Sequence, residues 1–220
     1  MKNDPKTLLD DCDTLMLDMD GTILDLAFDN YMWLEHVPER YAMLHSIAPS
    51  EARRKLTATF RAMQGRLEWY CLDHWSEQLG LDMVALHREQ NHRIGYLPGA
   101  ERFLKMVRER NLRLLLVTNS HRDTLSIKNE VTSVTSYFDQ VYLSHNFGVP
   151  KETQEFWQGL AAIENFDPAR TLFIDDSAPV LKSAHEFGVR MLLELTRPDT
   201  RKPVRQNSAF GGLERLELLL

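Results

Sequence analysis

The sequence predicts an α/β fold: a central parallel sheet covered by helices on both faces, with an all-helical insert after the first strand. Three observations predict it. Short apolar runs at residues 14–17, 112–117, 141–143, 172–174 and 189–193 have the length of buried strands. Helical periodicity fills the intervals between the later runs, and strands alternating with helices argue for a parallel sheet. Residues 28–93, in contrast, show helical stripes and no strand. The predicted boundaries are a core of residues 1–27 and 94–220 and an insert of residues 28–93.

Taken in order, the first run, Thr14-Leu15-Met16-Leu17, ends in the polar turn Asp18-Met19-Asp20-Gly21. In the insert, Pro49-Ser50-Glu51 is a helix-start signal, and Leu56, Phe60 and Met63 then share a face. Trp69, Leu72, Trp75 and Leu79 form another stripe that stops at Gly80, and Asp82 is placed to cap a further helix. Pro98-Gly99 opens the first core helix, with Phe103, Leu104 and Val107 on one side. The second run ends in Thr118-Asn119-Ser120. After the weaker third run, a helix follows Lys151 with Phe156, Trp157, Leu160 and Ile163 at helical spacing. The fourth run ends in Asp175-Asp176-Ser177 and leads into a helix over 178–187 closed by Gly188. Residues 198–212 are polar and irregular and read as a loose connection, and residues 213–220 read as a short helix packing back.

Composition narrows the function classes. The chain has 220 residues, 43% hydrophobic and 26% charged, enough to bury a core without covalent staples. Its net charge of -6 argues against nucleic acid and against an anionic membrane as partners. The two cysteines, Cys12 and Cys71, allow one bridge but form no disulfide framework or zinc spacing. The first residues lack the apolar stretch of a signal peptide, and no apolar run approaches the ~18 residues of a membrane span. The expected location is therefore the cytoplasm.

The polar groups that could carry chemistry stand where apolar runs end, and ligands of open parallel sheets bind outside the carboxyl ends of strands. Asp18 and Asp20 are two apart on an extended strand end and project to one side. Asp175 from a neighbouring strand would bring a third carboxylate to them. Two charges ~4 Å apart at an effective dielectric of ~20 repel by about 4 kcal/mol, or about three pK units per pair. A cation relieves that repulsion, and all-oxygen ligation favours a hard ion, most simply Mg²⁺.

Singly, each signal has a plain structural reading. Asp20-Gly21 is a common turn, Asp175-Asp176-Ser177 serves equally as a helix cap, and Lys151 alone reads as a solvated side chain. Jointly they are more specific: D-x-D-G-T arises by chance in about one in 10³ chains of this length, and each further element in order lowers that figure.

Asp18-Met19-Asp20-Gly21-Thr22, then Thr118, Lys151 and Asp175-Asp176, resembles the four-motif signature of the haloacid dehalogenase-like superfamily, across residues 14–195. The resemblance implies a Rossmann-like core and a C1-type cap formed by the insert. It implies Asp18 as a nucleophile that becomes an aspartyl-phosphate, and Asp20 as general acid and then base. Asp18, Asp175 and the backbone carbonyl of Asp20 would hold Mg²⁺, with Asp176 ligating or orienting beside them. Thr118 and Asn119 would bind phosphoryl oxygens, and Lys151 would neutralise charge between Asp18 and the phosphoryl group. Asp20 argues against the dehalogenase branch, which lacks the second aspartate.

Residues 26–31, 69–75 and 147–151 are similar to the bacterial GMP/IMP nucleotidases of this superfamily. That likeness implies a small-molecule phosphomonoester as partner, a purine nucleoside 5′-monophosphate. Asn30, Tyr31, Arg66, Trp69, Tyr70 and Asp73 are candidates to line a purine site, although an aromatic stripe also serves helix packing. His121 is a candidate to touch phosphate or sugar. Two alternatives stay open: a phosphatase or phosphomutase for another metabolite such as a sugar phosphate, and a catalytically silent binding protein on the same fold.

Overall fold

The computed structural model describes residues 7–220; the first six residues of the predicted core lie outside them. Six parallel strands form one sheet: β1 (Thr14–Leu17), β2 (Arg113–Thr118), β3 (Gln140–Leu143), β4 (Thr171–Asp175), β5 (Met191–Leu195) and β6 (Gly212–Leu213). Their order is β3-β2-β1-β4-β5-β6, so β1 lies between β2 and β4. Every residue of β1 is buried, as expected for a central strand covered on both faces. The five anticipated strands are present, the first with the same ends and the others with ends shifted by at most two residues.

The helices in chain order are α1 (Leu8–Asp11), α2 (Ala27–Tyr31), α3 (Val37–His45), α4 (Pro49–Met63), α5 (Leu72–Leu79), α6 (Met83–Glu89), α7 (Ala100–Arg108), α8 (Arg122–Thr132), α9 (Gln154–Ile163) and α10 (Ala178–Phe187). A π-helical turn, Met32–His36, joins α2 to α3. Between residues 27 and 93 only helical elements and turns occur, apart from a single bridge at Leu24 with Tyr96 that closes the base of the insert.

The sheet separates two apolar clusters. Side chains alternate across a strand, so Leu15 and Leu17 face one side and Met16 the other. On the Met16 side, Leu115, Val117 and Phe173 pack against Phe156 and Trp157 of α9 and Leu181 and Ala184 of α10. On the other side the cluster runs from Leu15 and Leu17 through Phe103 and Leu104 of α7 into the insert, where Phe28, Phe60 and Trp75 are buried. The insert is thus packed onto the core by continuous apolar contact.

Two expectations for the C-terminal region are corrected. Residues 213–220 do not form one helix: Gly212 and Leu213 add a sixth strand to β5, and a 3-10 turn, Leu216–Leu219, follows. Leu213 is buried in the strand, and Leu216 and Leu219 are buried at a spacing of three that suits the 3.0 residues per turn of a 3-10 helix. Residues 198–212 are irregular as expected but not loose. Buried Asp199 accepts hydrogen bonds from Asn30 Nδ2 (2.7 Å) and from the Arg201 backbone (2.9 Å). The Thr200 hydroxyl is bonded to Asp25 (2.5 Å), and the Leu26 N–H donates to the Pro198 carbonyl (2.9 Å). Cys12 and Cys71 are both free thiols.

Candidate active site

Three neighbouring strands end together, and their side chains meet. Asp18 follows β1, Thr118 ends β2 and Asp175 ends β4. Strand spacing of ~4.8 Å places such termini within reach of one another. The Asp18 N–H continues the ladder to the Ile174 carbonyl (3.0 Å), which fixes Asp18 beside Asp175. The chain then turns at Gly21, whose φ is +87°. A Cβ there would lie 2.3 Å from Leu26 Cδ1 and 2.8 Å from Asp176 Cγ, so only glycine fits.

Lys151 reaches the same point from the turn before α9. Its Nζ donates to Asp18 Oδ1 (2.5 Å), Asp175 Oδ2 (2.7 Å) and the Val117 carbonyl (2.9 Å), using all three protons. Its backbone N–H donates to Asn119 Oδ1 (2.9 Å), and Trp157 Nε1 donates to its carbonyl (2.9 Å). The ammonium is fully buried, yet the two carboxylates outweigh desolvation and hold its pKa above the ordinary lysine value.

The carboxylates carry the opposite strain. Burial pushes the pKa of Asp18 and Asp175 up, against the pull of Lys151. Burial and then repulsion from Asp175 push Asp176 up to about 7, although Arg205 donates to its Oδ2 (3.2 Å) and carbonyl (2.6 Å). Oxygens of Asp18, Asp175 and Asp176 lie within 4.8 Å of one another. Lys151 serves the two buried carboxylates and Arg205 only the rim of the third, and this all-oxygen donor set fits a hard divalent ion such as Mg²⁺.

The Asp20 side chain is not in that cluster. Its Oδ1 accepts from Lys128 Nζ (2.6 Å), which also donates to both oxygens of Asp29 (2.7 and 2.9 Å). The Asp20 carboxylate is thus turned away from the three clustered aspartates. Burial raises the Asp20 pKa, with Lys128 opposing it.

Asp18, Asp20, Thr118, Asn119, Lys151, Asp175 and Asp176 all border one cavity of about 80 Å³, together with Tyr70 and Ser120. A second cavity of about 520 Å³ lies between the insert and the core and shares Asp20, Tyr70, Asp176 and Ser177 with the first. Trp33, Phe60, Trp69, Arg61, Gln64 and Asn30 line it. Among the predicted base contacts, Asn30, Trp69 and Tyr70 are therefore at this cavity. Tyr31 instead stacks on His36 and under the Arg93 guanidinium (3.9 Å), and Arg66 pairs with Glu68. Asp73 faces His121 and Arg122, and His121 caps α8 without lining either cavity.

Sequence reasoning missed Lys128, Asp29, Glu152 and Arg205. Glu152 accepts from the Tyr70 hydroxyl (2.8 Å) and from Asn119 Nδ2 (2.9 Å), joining insert to core at the site's edge. Its place next to Lys151 was a usable signal. Nothing in the sequence marks Lys128 or Arg205.

Comparison with known proteins agrees with this geometry. Residues 15–193 match the haloacid dehalogenase-like hydrolase family. The GMP/IMP nucleotidase YrfG of Escherichia coli strain K12 is 42% identical over 209 residues, which are 94% of each chain. The nucleotidase of the same name from Shigella flexneri matches equally. Among solved structures, a HAD phosphatase from Thermococcus onnurineus superposes with a TM-score of 0.79 at 20% identity, covering 94% of this chain and 95% of that one. The L-2-haloacid dehalogenase of Xanthobacter autotrophicus superposes with a TM-score of 0.58 at 15% identity, covering 93% and 95%. At those identities the structures speak for the fold alone. The family match and the 42% relative go further: this chain belongs to the haloacid dehalogenase-like hydrolases.

Proposed function

We propose that the protein is a Mg²⁺-dependent phosphomonoesterase that acts through an aspartyl-phosphate on purine nucleoside 5′-monophosphates, GMP and IMP foremost. The observation that carries the reading is the junction of two unlike cavities. One holds the carboxylates and Lys151; the other is large and aromatic, and the two share Asp20, Tyr70, Asp176 and Ser177. A phosphoryl group in the first would have its leaving alcohol at Asp20 and its base among Trp33, Phe60 and Trp69. The relative at 42% identity, a GMP/IMP nucleotidase, supports the same substrate class.

Asp18 is the nucleophile. A carboxylate oxygen attacks phosphorus, the P–O bond to the sugar breaks, and Asp20 gives its proton to the departing 5′-oxygen. Its raised pKa suits it to hold that proton. Asp20 then takes a proton from water, whose oxygen attacks phosphorus and releases phosphate from Asp18. Lys151 stays bonded to Asp18 and faces charge that builds on the phosphoryl oxygens. Thr118 and Asn119 border the phosphoryl position. Asp18, Asp175 and Asp176 would hold Mg²⁺, which supplies charge neutralisation of the phosphoryl oxygens.

Lys128 is the positioning residue of the general acid. It clamps one oxygen of Asp20 and, through Asp29, fixes that oxygen to the first helix of the insert. In this reading residues 28–93 are a cap that excludes water from the reacting groups.

The test is a phosphate-release assay over purine and pyrimidine nucleotides and sugar phosphates, with and without a chelator. The expected result is highest turnover on GMP and IMP, lost on chelation and restored by Mg²⁺. Faster turnover of sugar phosphates would overturn the substrate, and turnover unaffected by chelation would overturn the metal.

A further inference from the structure

Away from the carboxylate cluster, the boundary between insert and core gathers a second set of metal-ligating groups of different chemistry. Cys71 precedes α5, Asp73 lies in its first turn, and His121 is the residue before α8. The thiol, a carboxylate oxygen and an imidazole nitrogen of these three lie within 4.8 Å of one another. Cys71 is a free, partly buried thiol, and His121 is buried. The Nε2 of His121 faces Asp73 Oδ2 at 3.6 Å, while its Nδ1 lies 3.5 Å from Asp123 Oδ2.

A fourth group stands beside them. His145, in the 3-10 turn Ser144–Asn146, meets His121 edge-on with ring centroids 5.1 Å apart. Both His145 ring nitrogens are buried, and neither has a hydrogen-bond partner among the described residues. A buried polar atom left unpaired costs on the order of 1–3 kcal/mol, and an ion held by the lone pair of one His145 nitrogen would relieve one of the two.

We propose that Cys71, Asp73 and His121 hold a Zn²⁺ ion on which the neighbouring His145, outside their 4.8 Å cluster, closes as fourth ligand, tying the helical insert to the core. One sulfur, one oxygen and two imidazole nitrogens are a donor set for zinc, in contrast to the all-oxygen cluster around Asp175. His121 would bind through Nε2; its Nδ1, which without the ion accepts a long contact from the Asp123 N–H (3.4 Å), would then carry the ring proton and give it to Asp123 Oδ2 (3.5 Å), the carboxylate–histidine–metal arrangement that orients such ligands. Binding displaces the Cys71 thiol proton to solvent. Arg122 also approaches Asp73 Oδ2, at 3.6 Å, but it is solvent-exposed and that pairing is weak. Two ligands belong to the insert and two to the core, so the ion would clamp one against the other a few residues from Asn119. The site rests on its own residues and does not depend on the substrate proposed above.

The experiment is a Co²⁺ titration of the full chain saturated with Mg²⁺, followed by Zn²⁺ displacement. The expected result is a near-ultraviolet thiolate-to-cobalt charge-transfer band with tetrahedral visible absorption, both lost on adding Zn²⁺. Cys71→Ser should abolish the band. Asp73→Asn, at an exposed position where folding is not at stake, and His145→Ala should each weaken Co²⁺ affinity by about tenfold or more. Absence of the band in the unmodified protein overturns the proposal. So does a band that survives Cys71→Ser, or an affinity unmoved by both Asp73→Asn and His145→Ala.

Discussion

Among the described residues two lysines are completely buried, and each bridges two aspartates. Lys151 joins Asp18 to Asp175, and Lys128 joins Asp20 to Asp29. The first pair of carboxylates sits on strands of one sheet, held by backbone ladders on either side. The second pair spans the hinge between core and insert, since Asp20 belongs to the turn after β1 and Asp29 to α2. The difference teaches how one buried charge type serves two ends. At the sheet edge the lysine holds Asp18, the proposed nucleophile, against its own desolvation. At the junction of core and insert it ties Asp20, the proposed general acid, to the first helix of the insert. A buried ion pair is weak evidence for stability in itself, because desolvation offsets attraction, but removing one partner is costly.

The sharpest way to break this comparison is to remove the carboxylate proposed as nucleophile, Asp18, to which Lys151 is bonded. Asp18→Asn should lower phosphate release by ~10⁴-fold or more while leaving the fold intact, measured as single-turnover release with circular dichroism as control. Residual turnover near the unmodified rate would mean that no bond to Asp18 forms. Lys151→Met comes next. It should lower kcat by about 10²–10³-fold, the usual cost of removing a charge-stabilising donor. It should also cost about 3–5 kcal/mol of stability in urea unfolding, since Asp18 and Asp175 lose their partner. Full activity in this variant would remove the lysine from the reaction.

The hinge lysine should matter less to the chemistry. Lys128→Met is expected to lower kcat by about 10- to 100-fold with little change in KM, because Asp20 is left without a fixed orientation. Asp29→Asn keeps the Lys128–Asp20 contact and should do less. If the two substitutions cost the same, or if Lys128→Met changes stability without changing kcat, Lys128 is structural and the parallel with Lys151 fails.

How far each region could be read from residues alone follows the same divide. Strand ends were legible because a short apolar run stopped by Asp or Thr fixes both the element and the direction of the next side chain. Asp18, Thr118 and Asp175 converge for that reason. Lys128 was not legible. It sits in Ser126-Ile127-Lys128-Asn129, a polar stretch of helix whose pattern gives no sign that its lysine faces inward. Arg205 and Asp199 were hidden in the same way, in an irregular segment whose anchoring depends on contacts far along the chain. The aromatic residues of the insert were visible but ambiguous. Trp75 is wholly buried as core, whereas Trp69, six residues earlier on the same stripe, lines the large cavity.

That ambiguity can be sharpened by Trp69→Ala. Stacking of a base on an aromatic ring contributes about 1–3 kcal/mol, so KM for GMP should rise about tenfold with kcat nearly kept. KM for ribose 5-phosphate, which has no base, should not move. An equal rise for both substrates would assign Trp69 to packing against Phe60 and Trp75 rather than to the substrate.

The smallest effect concerns what the hinge lysine does to its surroundings. His87 of α6 is almost fully buried, edge-on to Phe28 and Trp33, with its Nδ1 bonded to the Met83 carbonyl (2.7 Å). Burial first, and then the Lys128 ammonium, push its pKa down to about 4 from an ordinary 6.5. Between those values the unfolded chain binds a proton that the folded chain refuses, so stability falls as pH drops below 6.5 and is unaffected above it. At pH 5.5 the loss from this one residue is about 1.4 kcal/mol relative to pH 8. His87→Gln carries no such proton. Urea unfolding of the two proteins at pH 8 and pH 5.5 should therefore show the unmodified protein losing about 1.4 kcal/mol more than the variant on acidification. Parallel losses would show that His87 takes up its proton in the folded state, and that neither its burial nor the charge on Lys128 governs it.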